Sequence, residues 1–472
     1  MKGADPGCIL VRLKMKVLKF GGTSVGTVKS ILNVKNIVES LKEPAVVVVS
    51  ALGGLTDGLI NSARKASKGD EIYLDDLKSY RQRHHDIVDG VVKEGKKKFC
   101  HKEIDDFFKE LQRLYDGVFF IKDLPVKTLD EIVSFGERMS SRIVAAMIKD
   151  ACHKDSTAII KTEKWFGKNI ADIKLTDELI RQNIVLAEGS PVIMGGFIST
   201  DRESGEITNL GRGGSDFTAA LVAASLDADE LQIWTDVDGF MTSDPRIIPD
   251  ARIIDEMSFV ESMELCSFGA KVIYPPTIYP VFHKNIPIKI LNTFNPSAPG
   301  TLITDHNDRR NLSKEKVRGL SALKNTCLVN LKGNLTRNLA SISSRTYNAL
   351  ARKGIGVFLV SPTEDEDLFS FALKIEDLDE ALSILKDEFA PEAAKGELEK
   401  VSHIPSLAII ALVGENILTA GPITPRVYNT FMRNDIELFA SSEGASRTTV
   451  TFVVREDHVN KALELVHSLF FS

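Results

Sequence analysis

The chain has 472 residues and a formal net charge of −6; 43% of its residues are hydrophobic and 26% are charged. One hydrophobic core does not support a chain of this length, so we expect two or three domains. The negative charge excludes a generally basic surface for nucleic acid, and no apolar run approaches the roughly 20 residues of a membrane-spanning helix. We therefore expect neither a nucleic-acid partner nor a membrane partner.

The cysteines indicate the redox compartment. They are far apart in the sequence and form no Cys-x-x-Cys or Cys/His ligand pattern: Cys8, Cys100, Cys152, Cys266 and Cys327. This pattern favours reduced thiols in a cytoplasmic protein over disulfides or a zinc site. His84 and His85 lie in a charged helical stretch and are expected to be solvated.

Residues 1–14 precede the first predicted strand. Their apolar patch at residues 8–11 is too short for the core of a signal peptide. A disordered extension and an alternative start at Met15 both fit this segment.

The first predicted strand runs into the turn Lys19–Val25, which reads Lys-Phe-Gly-Gly-Thr-Ser-Val and precedes a helix over residues 29–41. Glycines let the backbone approach an anion with free N–H groups, and the helix N-terminus adds positive potential. Lys19 adds a mobile charge. An ordinary βα turn explains the two glycines about equally well, but the lysine and the two hydroxyls favour a phosphate site.

Residues 15–304 alternate strand and helix. Strands are predicted at 16–20, 45–50, 191–197, 231–235 and 286–291, and helices at 56–66, 215–225 and 257–265. The strands are near-continuous apolar runs, which is typical of buried parallel strands and predicts an α/β sheet covered on both faces. The charged segment 70–124 predicts a helical insert.

Further turns carry polar side chains. Ser50–Thr56 is a second glycine turn, in which capping is the simpler role for Thr56. Gly211–Asp216 places an arginine fork, which suits a carboxylate or phosphate, among three glycines, although Asp216 also fits a helix cap. Two further turns, Trp234–Gly239 and Ser243–Arg246, contain a hydroxyl, acids and an arginine that could contact a ligand. A structural role as Asx turns explains them about equally well.

Two shorter motifs are expected at helix starts. Ser134–Arg138 is predicted at the head of a helix over residues 139–149, with Glu137 as a partner of the helix dipole. Phe268–Lys271 is predicted to open a short helix, where Lys271 is a surface residue or completes an anion site. No Walker, dinucleotide-binding or protein-kinase motif occurs, so any phosphoryl transfer uses a different scaffold.

The C-terminal part contains an internal repeat. Between residues 326 and 472 the same pattern of strand, helix, strand, strand and helix occurs twice, offset by roughly 80 residues. Each copy predicts a ferredoxin-like unit. The charged segment 390–404 is expected to be the linker between the copies.

The motifs and their order resemble the aspartokinase family. The resemblance rests on Val17–Val25, Ser134–Glu137, Leu210–Asp216, Trp234–Arg246 and Phe268–Lys271. It implies an α/β amino-acid-kinase domain at 15–304, built as a three-layer α/β/α sandwich, and two ferredoxin-like (ACT) α+β domains at 305–390 and 391–472. It also implies that the segment after the kinase domain is shared into the second ACT unit.

The resemblance implies that ATP and L-aspartate give 4-phospho-L-aspartate and ADP, the first step of lysine, threonine and methionine biosynthesis. The aspartate side chain has a pKa near 4, so it is already a nucleophile and needs no general base. By resemblance, Lys19 stabilises the transferring phosphoryl group and Asp216 orients the cationic groups. The implied aspartate-binding residues are Thr56, Glu137, Arg212 and Ser215. The implied ATP-binding residues are Lys19, Phe20, Gly21, Gly22, Ser50, Thr235, Asp236, Met241, Arg246, Lys271 and Val272, with Mg²⁺ carried by the nucleotide.

The chain departs from the family pattern in several places. Met241 stands where many members have a tyrosine, and Tyr274 replaces a frequent histidine. In the first repeat, residues 332–336 lack the usual glycine-methionine pattern, and the turn 362–367 is acidic rather than serine-rich. Feedback inhibition by lysine or threonine at the ACT interface is therefore a hypothesis.

Two rival functions remain open. One is a kinase of the same fold acting on glutamate, N-acetylglutamate, carbamate or a nucleotide, against which Thr23, Ser24 and Glu137 argue. The other is a catalytically inactive ligand sensor, against which intact Lys19 and Asp216 argue. No dinucleotide motif follows the second repeat, so we expect either a monofunctional enzyme or the kinase part of a fusion with homoserine dehydrogenase. A homodimer or higher homo-oligomer is expected.

Overall fold

A computed structural model describes residues 14–165, 168–305, 317–333, 339–363, 368–415, 417, 421–444 and 447–471. The chain forms two compact units. The first comprises the described chain up to Phe240, Asp255–Phe259 and residues 272–305. The second comprises Met241–Ile254, Val260–Lys271 and the described residues from 317 onward. The domain boundaries named above stay predictions, and all but Lys14 of the expected extension lies outside the described residues.

Twelve strands precede the repeat region of the described chain. They are β1 (Lys16–Phe20), β2 (Ala45–Val49), β3 (Cys152–Lys154), β4 (Lys161–Trp165), β5 (Lys168–Ala171), β6 (Val192–Gly195), β7 (Ile198–Asp201), β8 (Ile207–Asn209), β9 (Glu230–Thr235), β10 (Glu256–Ser258), β11 (Ile288–Asn292) and β12 (Thr301–Thr304). The helices of the same region are α1 (Val28–Glu39), α2 (Leu55–Ser67), α3 (Tyr73–Val91), α4 (Glu94–Ile121), α5 (Val126–Met147), α6 (Ser156–Ile159), α7 (Ile173–Asn183), α8 (Gly214–Ser225), α9 (Phe259–Ser267) and α10 (Ile278–Phe282).

The main sheet of the first unit has eight strands in the order β10-β12-β11-β9-β1-β2-β6-β3. All neighbours are parallel except β11 and β12. All five residues of β2 are buried, as its uninterrupted apolar run predicts. A smaller sheet has the order β5-β4-β7-β8. Because β1, β2, β6, β9 and β11 are parallel, their carboxyl ends meet at one edge of the sheet.

Helices cover both faces of the main sheet. Leu18, Phe20 and Val47 belong to a core formed with α1 to α5. The alternate residues Val17 and Val46 are also fully buried and point to the opposite face. Helix α8 packs against β1, β2 and β9. The predicted three-layer α/β/α sandwich is therefore confirmed.

One local prediction in the first unit is wrong, and two predicted elements have different ends in the structure. Ser134–Arg138 lies in the middle of α5, which begins at Val126, directly after Pro125. Glu137 is therefore no partner of a helix N-terminus. Residues 256–258 form β10, paired with β12, before the helix expected from residue 257 begins. The expected strand 191–197 ends at Gly195, and β7 of the smaller sheet follows.

The motif Phe268–Lys271 also differs from its prediction. It follows the end of α9 instead of opening a helix. Gly269 has a φ of +116°, and a Cβ at this position would lie 2.4 Å from the carbonyl oxygen of Ala322. The left-handed backbone and the close approach explain why glycine ends the helix here.

The predicted insert consists of helices α3 and α4, and it corrects the expectation for His84. This side chain is fully buried, with Nδ1 2.7 Å from the carbonyl oxygen of Tyr80 and the ring edge against Phe108. Nε2 has no hydrogen-bond partner among the residues that the structure describes. The charged neighbours in sequence point to solvent, whereas the residue itself lies under α4.

Burial lowers the pKa of His84 to about 4 from its ordinary value near 6.5. The unfolded chain therefore binds the extra proton first, so we expect stability to be complete above about pH 6.5 and to fall by about 3 kcal/mol as the pH drops toward 4. Thermal unfolding between about pH 7 and pH 5 should show this loss. His84→Leu should flatten the profile and exposed His283→Gln should not; an unchanged slope in His84→Leu contradicts the prediction.

The second unit contains the repeat. Its strands are β13 (Gly319–Gly333), β14 (Leu359–Thr363), β15 (Leu368–Lys374), β16 (Leu398–Val413), β17 (Leu438–Glu443) and β18 (Thr449–Arg455), and its helices are α11 (Leu339–Ala351), α12 (Leu378–Glu388), α13 (Ala390–Ala394), α14 (Ile423–Arg433) and α15 (Val459–Phe471). The strands form one antiparallel sheet in the order β14-β15-β13-β16-β18-β17. Both copies have the predicted order of elements.

The two copies share their central strands. The first part of β13, residues 319–323, pairs with residues 409–413 at the end of β16, so this segment joins the second copy. The prediction that residues 390–404 form a linker is wrong, because α13 and the start of β16 lie in this segment. Most of the expected acidic turn 362–367, and residues 334–336, lie outside the described residues. No helix in the described parts of the chain is long and apolar enough to cross a membrane.

Candidate active site

Lys19 and Asp216 form an ion pair at the carboxyl edge of the main sheet. Lys19 is the penultimate residue of β1, and its Nζ lies 2.5 Å from Oδ1 of Asp216, with both side chains nearly nine-tenths buried. Asp216 lies in the first turn of α8, where the helix N-terminus contributes positive potential. A Cβ added to Gly21 would lie 3.6 Å from the Lys19 Nζ. The ammonium group therefore lies over the first glycine turn.

The two predicted glycine turns contact each other. A Cβ on Gly22 would lie 3.1 Å from the carbonyl oxygen of Ala51, and one on Gly53 would lie 3.0 Å from that of Gly22. Gly21 donates its N–H to the carbonyl oxygen of Trp234 at 3.2 Å. The space between the ends of β1 and β2 is therefore tight at both glycines. This cradle of backbone beside an ammonium group fits a phosphate.

The two hydroxyls of the first turn have different environments. Thr23 is exposed, whereas Ser24 is fully buried and its Oγ lies 2.7 Å from Oγ1 of Thr293. The sequence interpretation assigned both hydroxyls to the phosphate site. Ser24 instead joins the turn to the end of β11, a contact with no local sequence signal.

Glu137 is buried at the same edge. Its Oε1 accepts a hydrogen bond of 3.1 Å from the N–H of Ala51, and its Oε2 has no hydrogen-bond partner within the described chain. The end of β6 lies against it, since a Cβ on Gly195 would be 3.2 Å from the Glu137 Cβ. Burial raises the pKa of Glu137 to about 8. An unpartnered acid oxygen in such a site can receive a cationic group.

The loop Gly211–Asp216 is positioned by residues that the sequence interpretation missed. Asn209 accepts the N–H of Gly211 at 2.9 Å and donates to Asp130 Oδ1 at 2.6 Å. Gly213 has a φ of +68°, and a Cβ there would lie 2.2 Å from that of Tyr274. Tyr274, which replaces a frequent histidine of the family, therefore packs directly against the loop.

The expected substrate residues on this loop differ in exposure. Arg212 is exposed, whereas Ser215 is buried beside Gly196, where a Cβ would lie 2.6 Å from the Ser215 Cα. Thr56 lies in the first turn of α2 and is half-buried. The loop thus presents a guanidinium to solvent near the α8 N-terminus.

The expected nucleotide residues of the first unit lie at strand ends. Phe20 is buried and its ring stacks on Trp234, with centroids 5.9 Å apart. Ser50 donates its N–H to the carbonyl oxygen of Phe20 at 3.1 Å. Thr235 ends β9, and its Oγ1 donates to Oδ1 of exposed Asp236 at 3.2 Å. Val272 is half-buried and begins the last segment of this unit.

Three other expected nucleotide residues belong to the second unit. Met241 forms an isolated bridge with Ile253. Arg246 is 84% exposed and binds Asp244 through two hydrogen bonds of 3.0 and 2.7 Å. The Arg246 guanidinium holds the pKa of Asp244 below its usual value. Lys271 is exposed.

No group of three or more histidine, cysteine, aspartate or glutamate side chains within the described ranges is arranged to hold a metal ion. The groups gathered at the edge of the sheet include the Lys19 ammonium group, the backbone of the two glycine turns and the exposed Thr23. These groups suit the phosphates of a nucleotide.

Comparison with known proteins assigns a family to each of two parts of the chain. Residues 14–292 match the model of the Amino acid kinase family, and residues 410–470 match an ACT domain. The bifunctional aspartokinase/homoserine dehydrogenase of Buchnera aphidicola is 30% identical over 97% of this chain and 56% of its own length. Aspartokinase 2, chloroplastic, of Arabidopsis thaliana is 28% identical over 96% of this chain and 84% of its own length. The chain thus spans little more than half of the bifunctional relative.

Solved structures show the same likeness. E. coli aspartokinase III in complex with aspartate and ADP (R-state) has a TM-score of 0.83 at 28% identity, covering 97% of this chain and all of that one. The complex of that enzyme with lysine and aspartate (T-state) has a TM-score of 0.74 at 27% identity, with the same coverage. The chain belongs to the amino acid kinase family, and the proteins that it resembles within this family are aspartokinases.

Proposed function

We propose that this protein phosphorylates the side-chain carboxylate of L-aspartate with ATP, giving 4-phospho-L-aspartate and ADP. The observation that carries the proposal is the ion pair of Lys19 with Asp216 beside the paired glycine turns. Phosphoryl transfer needs positioning and charge neutralisation more than covalent chemistry. Lys19 would stabilise the transferring phosphoryl group, and Asp216 would orient the Lys19 ammonium.

The substrate assignment rests on a buried acid and an exposed cation. Glu137 offers an unpartnered Oε2 to the ammonium of aspartate, and Arg212 offers an exposed guanidinium to its α-carboxylate. Thr56 and Ser215 would lie beside the bound amino acid. The reacting carboxylate is ionised at neutral pH, so no general base is required.

The proposed nucleotide site combines the backbone of the two glycine turns with the ends of the neighbouring strands. Gly21 and Gly22 would hold the phosphates with Lys19. The other proposed ATP residues are Phe20, Ser50, Thr235, Asp236, Met241, Arg246, Lys271 and Val272. Mg²⁺ would accompany the nucleotide and neutralise charge on the phosphate oxygens.

We also propose a cytoplasmic location and a homo-oligomeric state. Sedimentation tests the oligomeric state.

A product assay tests this proposal. Hydroxylamine traps an acyl phosphate as a hydroxamate, while coupled detection follows ADP. L-Aspartate should give both signals, whereas L-glutamate, N-acetylglutamate, carbamate and a nucleoside monophosphate should give neither. ADP formation with another acceptor would assign a different kinase. Aspartate binding without ADP release would indicate an inactive sensor.

We expect lysine or threonine to lower the rate through the ACT repeats. The motivation is the repeat itself and a likeness to an aspartokinase solved with lysine. In the second repeat, the Tyr428 hydroxyl lies 2.8 Å from Ser441 Oγ, and Thr424 donates to Glu443 at 2.6 Å. Hydroxyls and a carboxylate therefore lie between α14 and β17. The assay is repeated with saturating lysine and threonine, alone and together. An unchanged rate in all three cases rejects feedback inhibition by these amino acids.

A further inference from the structure

Helices α3 and α4 carry the same short pattern, His-x-x-x-Asp, at His85–Asp89 and His101–Asp105. The patterns are paired crosswise between the helices. His85 Nε2 lies 2.8 Å from Oδ1 of Asp105, and His101 Nε2 lies 3.0 Å from Oδ1 of Asp89. The two Nδ1 atoms lie 2.6 Å apart. This cluster takes no part in the proposed catalytic site.

The carboxylates determine which ring nitrogens carry protons. An ionised carboxylate only accepts hydrogen bonds, so each Nε2 must donate to its aspartate. A neutral imidazole that donates through Nε2 has a lone pair on Nδ1. When both rings are neutral, His85 and His101 direct two acceptors at each other, and this contact becomes favourable when a proton or a metal cation lies between them.

The charges around the cluster favour a cation. Asp89 and Asp105 contribute two negative charges, and Arg81, whose guanidinium lies 2.8 Å from Asp105 Oδ1, contributes one positive charge. Asp105 Oδ1 also lies 2.8 Å from His85 Nε2, so this carboxylate orients the His85 ring.

We propose that His85 and His101 bind one divalent late transition-metal ion, such as Zn²⁺ or Ni²⁺, between their Nδ1 atoms. Metal–nitrogen bonds of about 2.0–2.1 Å in a tetrahedral arrangement require the two nitrogens to separate to about 3.3 Å. Small ring rotations supply this change. The side chains of His85 and His101 are 17% and 28% exposed, so an ion can enter from solvent and water can complete its coordination. The ion would join α3 to α4.

Calorimetric titration of the metal-stripped full chain with Zn²⁺ tests the site. All proteins carry Cys152→Ser, because this exposed thiol would also bind zinc. We expect one ion per chain and two imidazole ligands in the X-ray absorption spectrum. His85→Ala and His101→Ala should each weaken binding at least about tenfold, and Asp89→Asn by about tenfold. Exposed His283→Ala and His403→Ala are matched controls that should bind as the parent does.

Thermal unfolding gives a second readout. Zn²⁺ should raise the midpoint of the parent protein and not that of the His85→Ala, His101→Ala double variant, because only the parent binds the ion in its folded state. Asp89 is 62% exposed, so Asp89→Asn remains informative if the alanine variants unfold. Unchanged zinc affinity in the double variant, sulfur ligation, or no binding to the parent would each overturn the proposal. In the last case the two rings share a proton instead.

Discussion

Lys19→Ala is expected to lower the turnover number at least about 10²-fold, on the order of 3 kcal/mol of transition-state stabilisation. Lys19 is the cation that the structure places over the first glycine turn, and Asp216 holds it there at 2.5 Å. Charge on the transferring phosphoryl oxygens would lose its nearest fixed partner. Steady-state kinetics with saturating aspartate and ATP measure the effect.

The matched control for this variant lies on the same strand. Lys16→Ala removes a lysine of β1 that pairs with Glu43 at 3.3 Å on the surface, and it should keep the parent turnover. Lys19→Ala also leaves Asp216 partly buried without its cation, which costs stability. Thermal unfolding with and without nucleotide separates this loss from loss of chemistry. Turnover like that of the parent would remove Lys19 from the catalytic role.

Glu137→Gln is expected to raise the KM for aspartate about 30-fold or more, since losing one partner of a buried charge pair costs about 2 kcal/mol or more. Glutamine retains the shape and the contact to Ala51 but has no charge for the substrate ammonium. The turnover number at saturation should change less than KM. Exposed Glu178→Gln on α7 is the control and should leave KM unchanged.

The pH dependence of aspartate binding distinguishes this role from a structural one. Burial raises the pKa of Glu137 to about 8, so the free protein holds the carboxyl group mainly neutral at pH 7. Binding an ammonium group requires the carboxylate. The affinity for aspartate should therefore rise from about pH 6 to about pH 8 and then level off. Glu137→Gln should remove this slope, and a slope that persists would assign the pH dependence to another group.

The raised pKa of Glu137 also determines how the stability of the folded protein changes with pH. The folded-state pKa of Glu137 lies above its unfolded value, so its contribution is complete below about pH 4.5 and is lost as the pH rises toward 8. In the absence of ligand, Glu137→Gln should therefore be at least as stable as the parent at about pH 8. Aspartate should stabilise the parent more than the variant, because only the parent supplies the charge that binds the ammonium.

Features that the sequence marks by a local pattern or by a repeat were predictable. The apolar runs of β1 and β2 identified central parallel strands, and the repeat in the C-terminal part identified two copies of one unit before any pairing was known. Gly22 and Gly53 were predictable as turn residues, because glycine after a buried strand marks a turn. For the strands and the turns the signal lies within a few residues of the feature, whereas the repeat is recognised by comparing two similar segments of the sequence.

Features that depend on contacts between distant residues were not predictable. Ser24 contacts Thr293 across 269 positions, and His84 is buried because α4 packs over it. The helix around Glu137 extends further than its local pattern indicated, which moves this acid from a helix start to a buried position in mid-helix. The segment 398–404 looks like a charged linker, yet residues 328–333 pair with its strand.

For the candidate site, the sequence supplied the residue types and the order of the motifs. Only the fold brings Lys19 within 2.5 Å of Asp216, directs an unpartnered Glu137 oxygen into the same edge, and pairs His85 with His101 between two helices. The physical reason is the distance along the sequence over which each interaction acts. Strand and turn propensities act over a few residues, whereas burial, ion pairing and the pKa of a carboxyl group depend on neighbours that the chain brings together from far apart.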